Sequence, residues 1–101
     1  MTDSGRPMVD VRVAELDGVV TVAVAGEVDL LTAPSLAEAL ADAAGLAPRA
    51  VEVDLSAVDF LSVAGAAALA RAAEQLALRV RPVSHASRVT LVAAGLDHLL
   101  A

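Results

Sequence analysis

The sequence predicts an α/β domain, and three observations carry that expectation. An Asp17-Gly18 dipeptide sits between two β-rich runs and marks a hairpin. Further along, β-rich and helix-rich runs alternate, which calls for a parallel sheet with crossover helices. The chain has 101 residues, 57% of them apolar, enough for one small domain with a single core. Phe60 is the one aromatic residue, so the core is built from Ala, Val and Leu and its layers pack closely.

The elements follow in order. Residues 1–8 (MTDSGRPM) read as a disordered polar tail, and residues 9–101 as one domain. Val9, Val11 and Val13 alternate with Asp10 and Arg12, a period-two strand. Val19 to Ala25 is a second strand, ended by Gly26. Thr32-Ala33-Pro34 is a helix start, with Thr32 as cap and Pro34 in the first turn; Ser35 to Ala44 continues it and Gly45 stops it. Ala50 to Leu55 alternates Val and acid as a third strand, followed by a loop in which Asp54 and Ser56 satisfy backbone amides. Ser62 to Leu78 is an alanine-rich helix, capped by Ser62. Leu78 to Val83 is a short fourth strand, placed near an edge by Pro82. Ser84 to Ala94 is a helix capped by Ser84 or Ser87 and stopped by Gly95, and LDHLLA closes the chain as a helical turn packed back on the sheet. The order is β-β-α-β-α-β-α, a mixed sheet of four to five strands covered by helices.

Composition excludes several functions. The net charge of −6 provides no basic patch for nucleic acid or anionic lipid. There is no cysteine, which removes disulfides and thiolate metal sites. There is no lysine and no glycine-rich phosphate cradle, so a Walker-type nucleotide site is out. His85 and His98 lack spaced partners for a metal and read as surface residues. Glu27 and Asp29 could sit together at a strand end, but a solvated loop before a helix is the favoured reading of the pair. No catalytic residue, metal site or cofactor is expected. The apolar run Val63 to Ala70 is far short of the roughly 20 residues of a membrane span, and the N-terminus carries no signal-peptide pattern, so membrane insertion is not expected and a cytoplasmic protein is.

Three ordered blocks then resemble the STAS domain family, and within it the bacterial single-domain anti-sigma-factor antagonists. They are GEVDLLTAPSL (Gly26 to Leu36), VEVDLSAVDFLSVAG (Val51 to Gly65) and VTLVAAGLDHLL (Val89 to Leu100). The resemblance implies a non-catalytic regulator that binds an anti-sigma factor of the histidine-kinase-like ATPase class and so releases a sigma factor. It implies a docking surface at Glu27, Asp29, Thr32, Phe60, Leu61, Ser62, Val63, Ala64, Gly65, Ala66 and Ala67. The family has a phosphorylated Ser or Thr where this chain has Ala64, and an acid where it has Ser62. Ala64 cannot accept a phosphate, so switching at that position is not expected. Ser62 is the alternative acceptor, with helix capping as its simpler role. The alternative function is an accessory or scaffold STAS module in a transporter or signalling assembly. The hairpin and the alanine-rich helix faces offer surfaces for a weak homodimer.

Overall fold

A computed structural model describes residues 9–100; the expected tail, residues 1–8, lies outside them. The strands β1 (Val9–Leu16), β2 (Val19–Val28), β3 (Ala50–Leu61) and β4 (Leu78–Val83) form one four-stranded sheet in the order β1-β2-β3-β4. β1 runs antiparallel to β2, while β2, β3 and β4 are parallel. Helices α1 (Ala33–Gly45) and α2 (Val63–Ala73) are the two crossovers, and α3 (His85–Ala93) follows β4. A 3₁₀ turn, Asp97–Leu99, leads Leu100 into a single parallel bridge with Val80. The strand count among the described residues is thus four, the lower of the two expected.

The turn is as the sequence predicts. Asp17 and Gly18 both take positive φ, 54° and 81°, the pair of left-handed residues a two-residue hairpin requires. Arg49 holds this turn from outside: its N–H donates to the Gly18 carbonyl at 2.9 Å and its Nε to the Asp17 carbonyl at 3.0 Å.

Every second residue of β2, from Val20 to Val24, is buried, and Val28 with them; the residues between are half-buried or exposed. The three helices therefore share one face of the sheet and leave the other open. The core is the layer between them: Val20, Val22, Val51, Val53 and Leu55 from the sheet against Leu36, Leu40, Leu69 and Leu91 from the helices.

Four boundaries differ from the sequence reading. β3 does not end at Leu55 but runs on to Leu61. Its register against β2 steps from Ala23↔Asp54 to Ala25↔Ala57, then from Gly26↔Val58 to Glu27↔Phe60, so β3 carries one extra residue at each step. These two bulges let 12 residues of β3 pair with the 10 of β2. Each insertion flips the parity of the buried face, so burial moves from Val53 and Leu55 to Val58 and then Leu61. That broken period is why the strand looks like a loop in sequence. The Asp54 carboxylate accepts from the Ser56 N–H at 2.9 Å and hydroxyl at 2.6 Å, satisfying an amide at the first bulge.

β2 likewise continues past Gly26, which takes φ 104° inside the strand, to Val28. α2 stops at Ala73 and not at Leu78, because Leu78 is recruited to pair with Val51 in β4 and residues 74–77 must turn. Gly45 is the last helical residue of α1, and the left-handed residue beyond it is Ala47, at φ 51°. The Pro82 expectation holds, since β4 is an edge strand.

Candidate functional site

The parallel pairing of β2 and β3 sets Glu27 beside Phe60 and Val28 beside Leu61. The two loops that leave these strands at their carboxyl ends are therefore neighbours. The Ser62 N–H donates to the Val28 carbonyl at 2.8 Å, which ties the β3–α2 junction to the end of β2. Thr90 of α3 adds a second tie, donating its hydroxyl to the Leu61 carbonyl at 2.8 Å.

The β2–α1 loop is held from within. The Asp29 carboxylate accepts from the Leu31 and Thr32 N–H groups at 2.9 and 3.0 Å. These bonds, the Thr32 amide first, favour the ionised form and hold the Asp29 carboxyl below its ordinary value. Thr32 is the N-cap residue by position, yet its side chain caps no α1 amide, contrary to expectation. Its hydroxyl accepts from the Asp29 N–H at 2.8 Å and gives its single proton to the Glu27 carbonyl at 2.7 Å, with Asp29 Oδ1 at 3.1 Å. It crosslinks the loop to the end of β2.

At the start of α2, Ser62 has extended backbone angles and its Oγ accepts from the Gly65 N–H at 3.2 Å. This is N-capping geometry, as expected. Gly65 is needed for the close approach of α2 to the sheet: a Cβ there would sit 2.6 Å from Leu61 Cδ1 and 2.7 Å from Val28 Cγ1. Ala64 is half-buried and faces the groove between α1 and α2, which it lines with Leu30, Ala37, Ala67 and Arg71.

Not every residue expected at this surface reaches it. Thr32, Leu61, Gly65 and Ala66 are buried and position the surface without presenting to a partner. Glu27, Phe60 and Val63 are exposed, and Asp29, Ser62, Ala64 and Ala67 half-buried. Leu30 and Leu31, inside the Glu27 to Thr32 loop expected to flank the surface but not singled out there, are 77% and 79% exposed. Two consecutive leucines in a loop, outside any periodic pattern, were the available signal. With Val63 at 77% and Phe60 at 50%, they place four large apolar side chains at one end of the sheet, where the acids Glu27, Asp29 and Asp59 lie close by in sequence. Single exposed apolar residues are ordinary; four on adjoining loops and a helix start suit protein contact.

Among the described residues, no group of three His, Cys, Asp or Glu side chains is placed to hold a metal, and no helix is long and apolar enough to cross a membrane. His85 and His98 are exposed.

Comparisons with known proteins agree with this architecture. The family model described as "Mlab, STAS domain" matches residues 11–101. The chain is 38% identical over 78 residues to the anti-sigma-F factor antagonist RsfB of Mycobacterium tuberculosis, covering 77% of this chain. It spans 64% of the length of that relative. Among solved structures, an anti-sigma factor antagonist from Mycobacterium paratuberculosis superposes with a TM-score of 0.79 at 35% identity, covering 91% of this chain and 82% of that one. The unphosphorylated anti-sigma factor antagonist SpoIIAA superposes at 0.72 over 91% of this chain and 86% of its own, and at 16% identity it speaks for the fold alone. A family model spanning nearly the whole chain, together with a relative 38% identical over 77% of it, establishes that the chain belongs to the STAS domain family.

Proposed function

We propose that this chain is a non-catalytic, cytoplasmic protein-binding regulator of the anti-sigma-factor antagonist type. Its residues 9–101 act as one STAS unit. It binds an anti-sigma factor of the histidine-kinase-like ATPase class through Glu27, Leu30, Phe60, Val63 and the half-buried Ala64 and Ala67, and so frees a sigma factor. Its relatives carry the name of that role.

The observation that carries the regulatory half is the chemistry at the start of α2. A phosphate there would meet free backbone N–H groups and the positive end of the helix, but Ala64 has no hydroxyl to receive one. Ser62, two residues before it, has its hydroxyl oxygen engaged in capping the Gly65 N–H. Docking is therefore constitutive, set by the abundance of the two proteins and not by a kinase acting at this site. A second reading, a scaffold STAS module in a standing assembly, draws on the same missing acceptor, since assembly needs the surface without the switch.

The test is calorimetric titration of the chain with a purified ATPase-type anti-sigma factor, with and without ATP. The expected result is binding that ATP preincubation leaves unchanged, and a phosphorylated, weaker-binding species only for Ala64→Ser. Failure of both forms to bind any such factor removes the antagonist role and leaves the scaffold.

A further inference from the structure

The sheet has two edges, and they are finished differently. β4 carries Pro82, which has no N–H to offer, and Leu100 bridges to Val80 from outside. β1 has neither device. Its eight residues, Val9–Leu16, form an open edge with no strand beyond it among the described residues. A long edge with neither a proline nor a covering bridge is a template for another strand.

The hairpin determines which groups β1 offers. A two-residue turn is closed by a hydrogen-bonded pair, here Leu16 and Val19. Alternation then turns the backbone groups of Ala14, Arg12 and Asp10 towards β2, and those of Val9, Val11 and Val13 outward. The side chains divide the same way. Val9, Val11 and Val13 lie opposite Gly26, Val24 and Val22 on the helix-covered face, and Val13 is still 40% exposed. Asp10 and Arg12 stand on the open face, their side chains 3.0 Å apart and largely in solvent.

We propose that β1 pairs antiparallel with β1 of a second copy of this chain, about a two-fold axis through Val11, giving one continuous eight-stranded sheet. The charge pattern selects this register. Centred on Val11, it sets Val9 opposite Val13 of the other copy and Val11 opposite Val11, as hydrogen-bonded pairs. Asp10 and Arg12 then become non-hydrogen-bonded partners, twice over by symmetry, where facing side chains are closest. Sliding to the next permitted register in one direction puts Asp10 against Asp10, and in the other Arg12 against Arg12. Opposite charges across strands stabilise and like charges oppose. The Asp10–Arg12 pair within one strand becomes part of a four-charge cluster. The edge is separate from the α2 surface, so the dimer stands or falls independently of the proposed partner.

The contact is small, so association is weak, with the dimer fraction rising between about 10 µM and about 1 mM. Sedimentation of the full chain over that range tests it. Asp10→Arg alone sets base against base, Arg12→Asp alone sets acid against acid, and each weakens self-association by about tenfold. Mixing the two variants restores both cross-strand pairs and yields a heterodimer. Both positions are exposed, so the folded chain is retained, and concentration-dependent shifts of the Val9, Val11 and Val13 amides in the unaltered chain give a reading that needs no variant. A chain monomeric at about 1 mM, a dimer indifferent to both substitutions, or amide shifts that bypass β1 overturns the proposal.

Discussion

Ser62 and Gly65 together set how α2 meets the sheet, and each has a measurable consequence. Ser62→Ala removes the acceptor for the Gly65 N–H and should cost about 1 kcal/mol, read as a lower midpoint in denaturant titration. Gly65→Ala gains helix propensity but drives a methyl into Leu61 and Val28, both buried. Overpacking of about 1–3 kcal/mol outweighs a propensity gain of about 1, so this variant should also be destabilised; an unchanged or raised midpoint would show that the junction can open. Asp29 adds a pH dependence. Its folded pKa lies below the ordinary 3.8, so its stabilising contribution is present above that value and is lost as pH falls through the folded one. The stability advantage of the unaltered chain over Asp29→Asn should be constant above this window and shrink within it, as followed by denaturant titration at stepped pH.

At the scale of elements, α2 combines a buried flank with an exposed first residue. Ala66, Ala68 and Leu69 pack inward while Val63 stands 77% exposed. Val63→Asp should therefore leave thermal stability unchanged or slightly raised, since an acid in the first helical turn interacts favourably with the helix dipole. The same change puts a desolvated charge into the proposed docking surface and should weaken binding of an ATPase-type anti-sigma factor by at least about tenfold; equal affinity in calorimetry would move the docking surface elsewhere. Much of this layout was legible in the sequence, because capping serines, the Asp17-Gly18 turn and Gly95 act locally. What was not legible depends on partners distant in sequence. The continuation of β3 beyond Leu55 rests on bulges that only pairing with β2 makes visible. The end of α2 rests on the demand of β4 for Leu78. Thr32 looked like a cap because its spacing is right, but the Glu27 carbonyl and the Asp29 amide claim its hydroxyl. Ala64 and Ser62 could be placed from their spacing to Gly65, whereas the burial of Leu61 and Ala66 and the exposure of Leu30 needed the packed layer.

For the molecule as a whole, a two-layer domain without large aromatic side chains in its core depends on how its sheet is finished at the β4 side. Leu99 is 4% exposed, and Leu100 forms the bridge to Val80 that covers the outer edge of β4. Removing residues 97–101 takes away one fully buried leucine, about 2 kcal/mol by its transfer from water alone, and opens the backbone of β4 at the same time. For a domain of this size a loss of that order lowers the melting temperature by roughly 8–16 °C. The truncated chain should also gain a second strand edge able to pair, so light scattering after partial unfolding should rise faster than for the full chain. Restoring only the buried side chain would not suffice, because the bridge at Leu100 uses backbone groups. A truncated chain with an unaltered melting temperature and unaltered scattering would mean that β4 is held without the C-terminal turn, by its pairing with β3.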